Sequence, residues 1–407
     1  MTISPALQEL RSARSIRERA ARVLASGLRG ELEHFVVDEA RLPEVARLVA
    51  QTTKERYPDL RVPPHSRFAH FDAGGVPRTA ALERELAGLD SLERARRLSE
   101  LVVVSVLVDA GAGAQWRFTE RETGTALGRS EGLAVASLAW AKRGGLSAAG
   151  EAYRVDADGL LAVSEPALRE AFQVSADNPL VGAEGRVHLL QALGRALRTR
   201  SDVFGPAARV GGLVDKLIEG AQSGQVRAPD VLALILDALS SIWPGRLTLQ
   251  GVPLGDVWKH AAAGGDGATA GLLPLHKLSQ WLCYSLLHPL AVAGLDVIDI
   301  SELTGLAEYR NGGLFIDAGV LAPRNEADLR REHEVSSELV VEWRGLTVAL
   351  LDRLLPLVRR ELGPEGAGLS LAAMLEGGSW AAGRALARLR RADGSPPLQI
   401  SSDGTVF

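Results

Sequence analysis

The chain has 407 residues, of which 46% are apolar and 24% are charged. These values are typical of a folded globular protein and exclude a chain that is disordered throughout. The net charge of −4 gives no indication of a surface for nucleic acids or membranes. A single cysteine, Cys283, excludes a disulfide framework within the chain, and its apolar surroundings favour a small buried thiol.

The first segment, MTISPALQELRSARSIRERAAR, contains no apolar stretch of the kind found in secretory signals. The longest apolar run, residues 101–108, is too short to span a bilayer. We therefore expect a cytoplasmic protein without nucleic-acid or membrane partners.

Helix signals begin at the N-terminus, where Ser4 is a candidate N-cap and Pro5 takes the first helical position. A second helix is predicted for residues 43–57 because apolar residues recur at helical spacing: Val45, Ala46, Val49 and Ala50. Further helices are predicted at 185–198, 213–221, 229–242, 274–293, 336–362 and 369–391.

Strand signals are short and scattered. Residues 246–255 resemble a small hairpin, and the tail from residue 398 alternates like a short strand. The pattern predicts a mainly α protein and argues against a doubly wound sheet. No long polar linker divides the chain, so we expect one compact unit of two helical lobes, an N-terminal part over about 1–210 and a C-terminal part over about 211–407.

The segment HSRFAHFD contains three potential metal ligands, His65, His70 and Asp72. Histidines five residues apart do not share a helical face, and no neighbouring ligand cluster supports them, so we predict no metal and no other cofactor. Ser130 and Ser379 do not lie in nucleophile elbows, and their sequence contexts favour helix capping and close packing.

The predicted helix over 274–293 carries three polar residues, Lys277, Gln280 and Tyr284, at spacings of three and four. They share one face. A lysine, an amide and a phenol on an apolar helix suit the wall of a polar pocket. A surface helix with a solvated Lys277 explains the spacing equally well.

Glu308, Tyr309 and Arg310 directly precede Asn311-Gly312-Gly313, which we interpret as a tight turn that needs positive φ. An acid, a phenol and a guanidinium in this place could converge on a small polar ligand. Spacing alone favours the alternative, a structural ion pair between Glu308 and Arg310.

Glu342 and Arg344 lie on the predicted helix that follows Ser336 and Ser337. Two residues correspond to about 200° around a helix, so both side chains should not point into one pocket. We expect one of them to anchor a neighbouring helix.

Long strings over nearly the whole chain resemble a uracil-catabolism family of bacteria and fungi, long classed as a domain of unknown function, that is tied to a non-classical route of pyrimidine breakdown. The matching strings are HSRFAHFDAGG, SVLVDAGAGAQWRF, RSEGLAVAS, FQVSADNPLVG, IWPGRL, LGDVW, LHKLSQWLCYSL, LTGLAEYRNGGLFIDAGVL, SSELVVEWRGLTVALLD, EGGSWAAGR and SDGTVF.

The C-terminal half also resembles, more distantly, the queuosine salvage glycosylases, which are helical proteins similar to DNA glycosylases. That family carries a lysine and a glutamine three residues apart, then Asp-Tyr-Arg after a Leu-Thr pair, then Glu-x-Arg. The corresponding residues here are Lys277 with Gln280, Leu303-Thr304 followed by Glu308-Tyr309-Arg310, and Glu342 with Arg344. This chain departs from the pattern in having Glu308 where that family has aspartate.

The two resemblances imply a helical glycosylase-like fold and a hydrolase that cleaves the N-glycosidic bond of a small ribosyl or nucleoside-like substrate, such as a ribosylurea. Glu308 would be the catalytic carboxylate, and the substrate-binding residues would be Lys277, Gln280, Tyr284, Tyr309, Arg310, Glu342 and Arg344. Two alternatives stay open: a non-catalytic binding or accessory protein of the same route, and an amidohydrolase that acts on a ureido group.

Overall fold

The computed structural model describes residues 4–243 and 247–401. Helices dominate, as predicted. In chain order the α-helices are α1 Pro5–Leu10, α2 Ala13–Leu28, α3 Leu42–Arg56, α4 Arg67–Phe71, α5 Arg78–Leu86, α6 Ser91–Leu107, α7 Arg129–Lys142, α8 Ala157–Leu161, α9 Glu165–Ala171, α10 Ala183–Thr199, α11 Ser201–Phe204, α12 Gly212–Gly220, α13 Ala228–Ala238, α14 Lys277–Val292, α15 Tyr309–Asp317, α16 Glu338–Leu362, α17 Leu371–Met374 and α18 Trp380–Arg390.

The strands are all two or three residues long and pair in twos. They are β1 Phe35–Val37, β2 Arg117–Thr119, β3 Ala126–Gly128, β4 Gln225–Arg227, β5 Thr248–Leu249, β6 Val252–Pro253, β7 Val257–Lys259, β8 Leu272–Pro274, β9 Asp296–Ile298, β10 Leu321–Pro323, β11 Glu332–Glu334 and β12 Gln399–Ser401. The pairs β1–β10, β2–β3, β5–β6 and β7–β8 are antiparallel, whereas β4–β9 and β11–β12 are parallel.

Local sequence signals account for several of these elements. The Ser4 hydroxyl caps α1 by accepting the N–H of Leu7 at 3.4 Å. All four residues of the predicted apolar stripe on α3 are buried: Val45, Ala46, Val49 and Ala50. The predicted hairpin is present as β5–β6, although its first residue, Arg246, lies outside the described residues. The predicted tail strand is present as β12, and residues 402–407 also lie outside the described part.

The chain divides into two compact units, and each consists of several segments. The first unit contains the described residues up to 65, then 256–280 and 301–401. Its central element is α16, which packs against α2 and α3, while α15 packs against α18. The side chains of Leu346, Leu350 and Leu354 on α16 are fully buried. This unit therefore has its own apolar core around one long helix.

The second unit contains the described residues of 66–255 together with 281–300. In it α6 packs against α7, and α10 packs against α8. The apolar run from Leu101 to Val108, most of it in α6, is buried throughout. Helix α14 contributes residues 277–280 to the first unit and its remaining residues to the second. Within the described ranges, no helix combines the length and apolar character needed to cross a membrane.

The predicted tight turn at Asn311-Gly312-Gly313 is wrong, because these residues lie inside α15. Neither glycine has a positive φ. The glycines allow close packing instead. A Cβ on Gly312 would lie 2.6 Å from Cε2 of Trp343, and a Cβ on Gly313 would lie 3.0 Å from Cδ of Pro397. The two glycines are therefore explained by the crowding of side chains around the helix and not by their backbone conformation.

Candidate active site

The start of α14 is held in place by Asp256. Its carboxylate accepts the backbone N–H of Lys277 at 2.9 Å, and its carbonyl oxygen accepts the N–H of Leu275 at 2.9 Å. Between these residues, His276 adopts a left-handed φ of 45°, a conformation that costs free energy in a non-glycine residue. Lys277 is buried, which excludes the alternative of a solvated surface lysine.

Asp256 also binds Arg344 through two parallel hydrogen bonds. Nη1 and Nη2 of Arg344 donate to Oδ1 and Oδ2 of Asp256 at 2.7 and 2.8 Å. Nε1 of Trp258 donates to Oδ1 at 2.6 Å. Although burial alone would raise the pKa of Asp256, Arg344 and the other donors hold it well below its usual range. The carboxylate is therefore a fixed negative charge that orders Arg344 and the first turn of α14.

Arg344 connects this ion pair to the predicted catalytic residue. Its Nε donates to the carbonyl oxygen of Ala307 at 3.2 Å, one residue before Glu308. Arg344 is fully buried in the second turn of α16. One guanidinium thus binds Asp256 with its two terminal nitrogens and holds the backbone next to Glu308 with its third.

Glu308 is the N-cap of α15. Its two carboxylate oxygens accept the backbone N–H groups of Arg310 at 2.7 Å and Asn311 at 2.5 Å. Burial raises the pKa of Glu308, while these two hydrogen bonds and the positive charge of Lys277 act in the opposite direction. The result is a buried carboxylate of fixed orientation at a helix N-terminus, where the helix dipole favours negative charge.

The other two residues of the predicted triplet have different surroundings. The guanidinium of Arg310 lies 4.9 Å from the ring centroid of Tyr309, and its Nη1 donates to the carbonyl oxygen of Gly394 at 3.0 Å. Glu308 therefore binds the backbone N–H of Arg310, while the guanidinium binds Gly394. These contacts differ from the ion pair between the side chains of Glu308 and Arg310 that spacing alone favoured.

Gln280 is fully buried and both ends of its amide bind Thr304. The amide oxygen accepts the N–H of Thr304 at 3.0 Å, and the amide nitrogen donates to the Thr304 hydroxyl. These contacts anchor the start of the segment that leads to Glu308. They support a positioning role for Gln280, in addition to the substrate contact that the sequence predicted.

Glu342 and Arg344 bind different elements, as their angular separation on the helix predicted. Oε1 of Glu342 accepts the N–H of Phe35 at 2.8 Å and of His34 at 3.2 Å, at the start of β1. Its Oε2 lies 3.4 Å from Nε2 of His260. Glu342 is thus the anchoring residue of the two. Its carboxylate holds the strand β1 against α16, where the sequence predicted a neighbouring helix.

The first unit therefore brings Lys277, Glu308 and Arg344 into one connected set, with Asp256 between the lysine backbone and the arginine. Tyr284 is buried on α14 in the part of the helix that belongs to the second unit. Sequence reasoning missed Asp256. Its signal was present in the quoted string LGDVW, where a carboxylate directly precedes the buried residues Val257 and Trp258.

The histidines considered as metal ligands bind other groups. Nδ1 of His65 lies 2.7 Å from Oε2 of Glu376, and Nδ1 of His70 lies 2.8 Å from Oγ of Ser130. Among the residues that the structure describes, a different group places three ligand atoms within 4.8 Å of one another: Glu33, His34 and Glu338. Two of those side chains are exposed acids, which are common on protein surfaces without a metal.

Comparison with known proteins identifies relatives over the full length of the chain. The family described as "Protein of unknown function (DUF1688)" matches residues 9–407. "Protein urg3" of Schizosaccharomyces pombe is 41% identical over 407 residues, with 98% of each chain covered. "Uracil catabolism protein 4" of Lachancea kluyveri is 39% identical over 442 residues, with 100% of each chain covered.

Proposed function

The chain belongs to the DUF1688 family, and we propose that it acts in uracil catabolism as an N-glycosidase that hydrolyses a ribosyl compound similar to a ribosylurea. The family membership confirms the resemblance to the uracil-catabolism family, and a relative named for uracil catabolism supports the pathway. The hydrolytic reaction is what the more distant resemblance to the queuosine salvage glycosylases implies, and the geometry of the candidate site supports it.

The observation that carries the proposal is the buried carboxylate of Glu308. Cleavage of an N-glycosidic bond builds positive charge on the sugar, as in an oxocarbenium ion. A carboxylate fixed by two backbone N–H groups in a buried place can stabilise that charge without reorganising. Each oxygen keeps a lone pair with which it can take a proton from the attacking water.

The neighbouring residues fit distinct roles in this reaction. Lys277 brings a positive charge close enough to oppose the effect of burial on the pKa of Glu308, so it helps keep the carboxylate ionised. Arg344 is committed to Asp256 and to the backbone before Glu308, so we assign it a positioning role. Tyr309 and Arg310 are proposed to orient the sugar or its leaving group, and the substrate contact of Tyr284 stays a prediction.

The test is to incubate the purified protein with ribosylurea and to assay free ribose and free urea separately. We expect equal amounts of both products from the wild-type protein and none from Glu308→Gln, which keeps the size of the side chain but loses its charge. Glu120→Gln is the matched control, because Glu120 is a partly buried carboxylate paired with Arg78 in the other unit. Full activity of Glu308→Gln would contradict the assignment.

Two other outcomes would replace the proposal. Ammonia release with an intact glycosidic bond would identify an amidohydrolase that acts on the ureido group. Saturable binding of ribosylurea without any product would identify a binding or accessory protein.

A further inference from the structure

The segment between α17 and α18 is a π-helical turn, Leu375–Ser379, that carries the buried Glu376. A π-helical turn inserts an extra residue into a helix, and such insertions are frequent at functional sites. The turn faces α3 and α18 within the first unit. Nothing in the proposed mechanism so far uses this carboxylate.

Glu376 is held by three side chains from one stretch of chain. Its Oε2 lies 2.7 Å from Nδ1 of His65, and its Oε1 lies 3.3 Å from both the hydroxyl of Tyr57 and Nη2 of Arg56. Arg56 also donates to the carbonyl oxygens of Glu376 and Gly377. Burial raises the pKa of Tyr57 to about 12, so its hydroxyl stays a donor at neutral pH. The carboxylate is therefore fixed in position.

His65 is fixed at two points of the same helical segment. Its backbone N–H donates to the carbonyl oxygen of Ala372 at 2.9 Å, in addition to the side-chain contact with Glu376. When Glu376 is ionised it can only accept hydrogen bonds, so Nδ1 of His65 is then the donor between the two groups. The proton-transfer chemistry of the ring then belongs to Nε2. A carboxylate that orients a histidine in this way is a recurring arrangement of acid–base catalysis.

A hydrogen bond connects the π-helical turn that carries Glu376 to the helix that Glu308 caps. The hydroxyl of Ser379, at the end of the π-helical turn, donates to the side-chain oxygen of Asn311 at 2.8 Å. The backbone N–H of Asn311 is one of the two donors to Glu308. Helix α18 also approaches α15 so closely that a Cβ on Gly383 would collide with the carbonyl oxygen of Arg310. The π-helical turn that carries Glu376 and the following helix α18 thus pack directly against α15, which Glu308 caps.

We propose that His65 is the second acid–base residue of the hydrolysis, and that Glu376 is its positioning residue. The inference rests on the proposed function. A urea nitrogen is a poor leaving group unless it is protonated, so a carboxylate alone does not complete the reaction. As the bond between C1 and nitrogen breaks, its electron pair stays on nitrogen, which receives a proton from Nε2 of His65. The oxygen of water bonds to C1, Glu308 takes a proton from that water, and exchange with solvent restores both residues.

The test compares two substrates that differ in their need for an acid. Ribosylurea needs protonation of its leaving nitrogen, whereas 4-nitrophenyl riboside releases a stable phenolate without it. For His65→Gln we expect kcat on ribosylurea to fall by about 10²- to 10⁴-fold, the usual contribution of a general acid, with kcat on the nitrophenyl riboside unchanged. Glu308→Gln should lose both activities.

Two further variants keep the result interpretable. Glu376→Gln should also lower kcat on ribosylurea selectively, but by a smaller factor than His65→Gln. This variant tests the inference if His65→Gln fails to fold. His333→Gln is the matched control, since His333 is a buried histidine of the same unit that bonds the carbonyl oxygen of Asp328, and it should retain both activities. Equal losses on both substrates in the His65 and Glu376 variants would overturn the inference. A wild-type protein that hydrolyses neither substrate would instead contradict the proposed function.

Discussion

The guanidinium of Arg344 and the carboxylate of Asp256, 88 positions apart in the chain, form two parallel hydrogen bonds of 2.7 and 2.8 Å. The same carboxylate caps the backbone of Lys277, and the same guanidinium holds the carbonyl oxygen of Ala307. This ion pair therefore joins the two segments that carry Lys277 and Glu308. It is the structural centre of the candidate site.

Asp256→Asn should destabilise the protein strongly, because it leaves the buried charge of Arg344 without its counterion. Removal of one partner from a buried pair costs about 3–5 kcal/mol. The measurement is the free energy of unfolding in urea. Asp177→Asn is the control, since Asp177 is exposed, and it should change that free energy by less than about 0.5 kcal/mol. A similar small change in Asp256→Asn would show that the pair is not important for stability.

The same pair gives a pH dependence with a definite sign. The pKa of Asp256 is lower in the folded protein than in the unfolded chain, so its stabilisation is complete above the ordinary aspartate value of about 3.9. It is lost progressively as the pH falls below that value. Unfolding of the wild-type protein should therefore show a steeper loss of stability under acid conditions than unfolding of Asp256→Asn, and parallel curves would contradict this account.

Glu308→Asp distinguishes the role of Glu308 as a helix cap from its proposed role in catalysis. Aspartate is a preferred N-cap residue, so we expect the free energy of unfolding to stay within about 1 kcal/mol of the wild-type value. The shorter side chain withdraws the carboxylate from the substrate, and a displacement of about 1 Å can reduce catalysis by about a hundredfold. The free energy of unfolding tests the role of Glu308 as a helix cap, and kcat on ribosylurea tests its role in catalysis. A wild-type kcat would show that the reach of this carboxylate is unimportant.

The charge of Lys277 should set the acid limit of activity. Burial raises the pKa of Glu308, so the ionised form that the reaction needs is lost at a higher pH than for an ordinary glutamate. Lys277 opposes this effect, so Lys277→Met should raise that pKa further and move the acid limb of the kcat profile to higher pH. Lys277→Arg keeps the charge and should leave the limb near its original position. A limb that moves to lower pH in Lys277→Met would contradict the electrostatic argument.

Gly312→Ala tests why a glycine stands inside α15. Alanine in an ordinary helix interior stabilises by about 0.5–1 kcal/mol relative to glycine. Here the new Cβ would lie 2.6 Å from Cε2 of Trp343 and 2.8 Å from Oγ1 of Thr347, so we expect destabilisation of about 1–3 kcal/mol. Gly220→Ala is the control, because nothing lies within 4 Å of a Cβ at that position in α12. Thermal unfolding of both variants shows whether the close packing decides the outcome.

Local sequence patterns were enough to predict the helical character and the position of most long helices. Predicted helices at 185–198, 213–221 and 336–362 correspond to α10, α12 and α16, with ends that agree to within two residues. These predictions depend on the periodic spacing of apolar residues and on capping residues such as Ser4. Both are local properties of the chain, because a helix closes its hydrogen bonds within four residues.

The contacts of the polar residues could be found only in the folded structure. Spacing could not show that Glu308 caps α15, that Gln280 binds Thr304, or that Asp256 holds Arg344. It also led to the wrong interpretation of Gly312, whose neighbour Trp343 is distant in the chain. The physical reason is the same in each case. A hydrogen bond or an ion pair depends on atoms within a few ångströms of each other, and the folded packing brings those atoms together from positions that no local pattern relates.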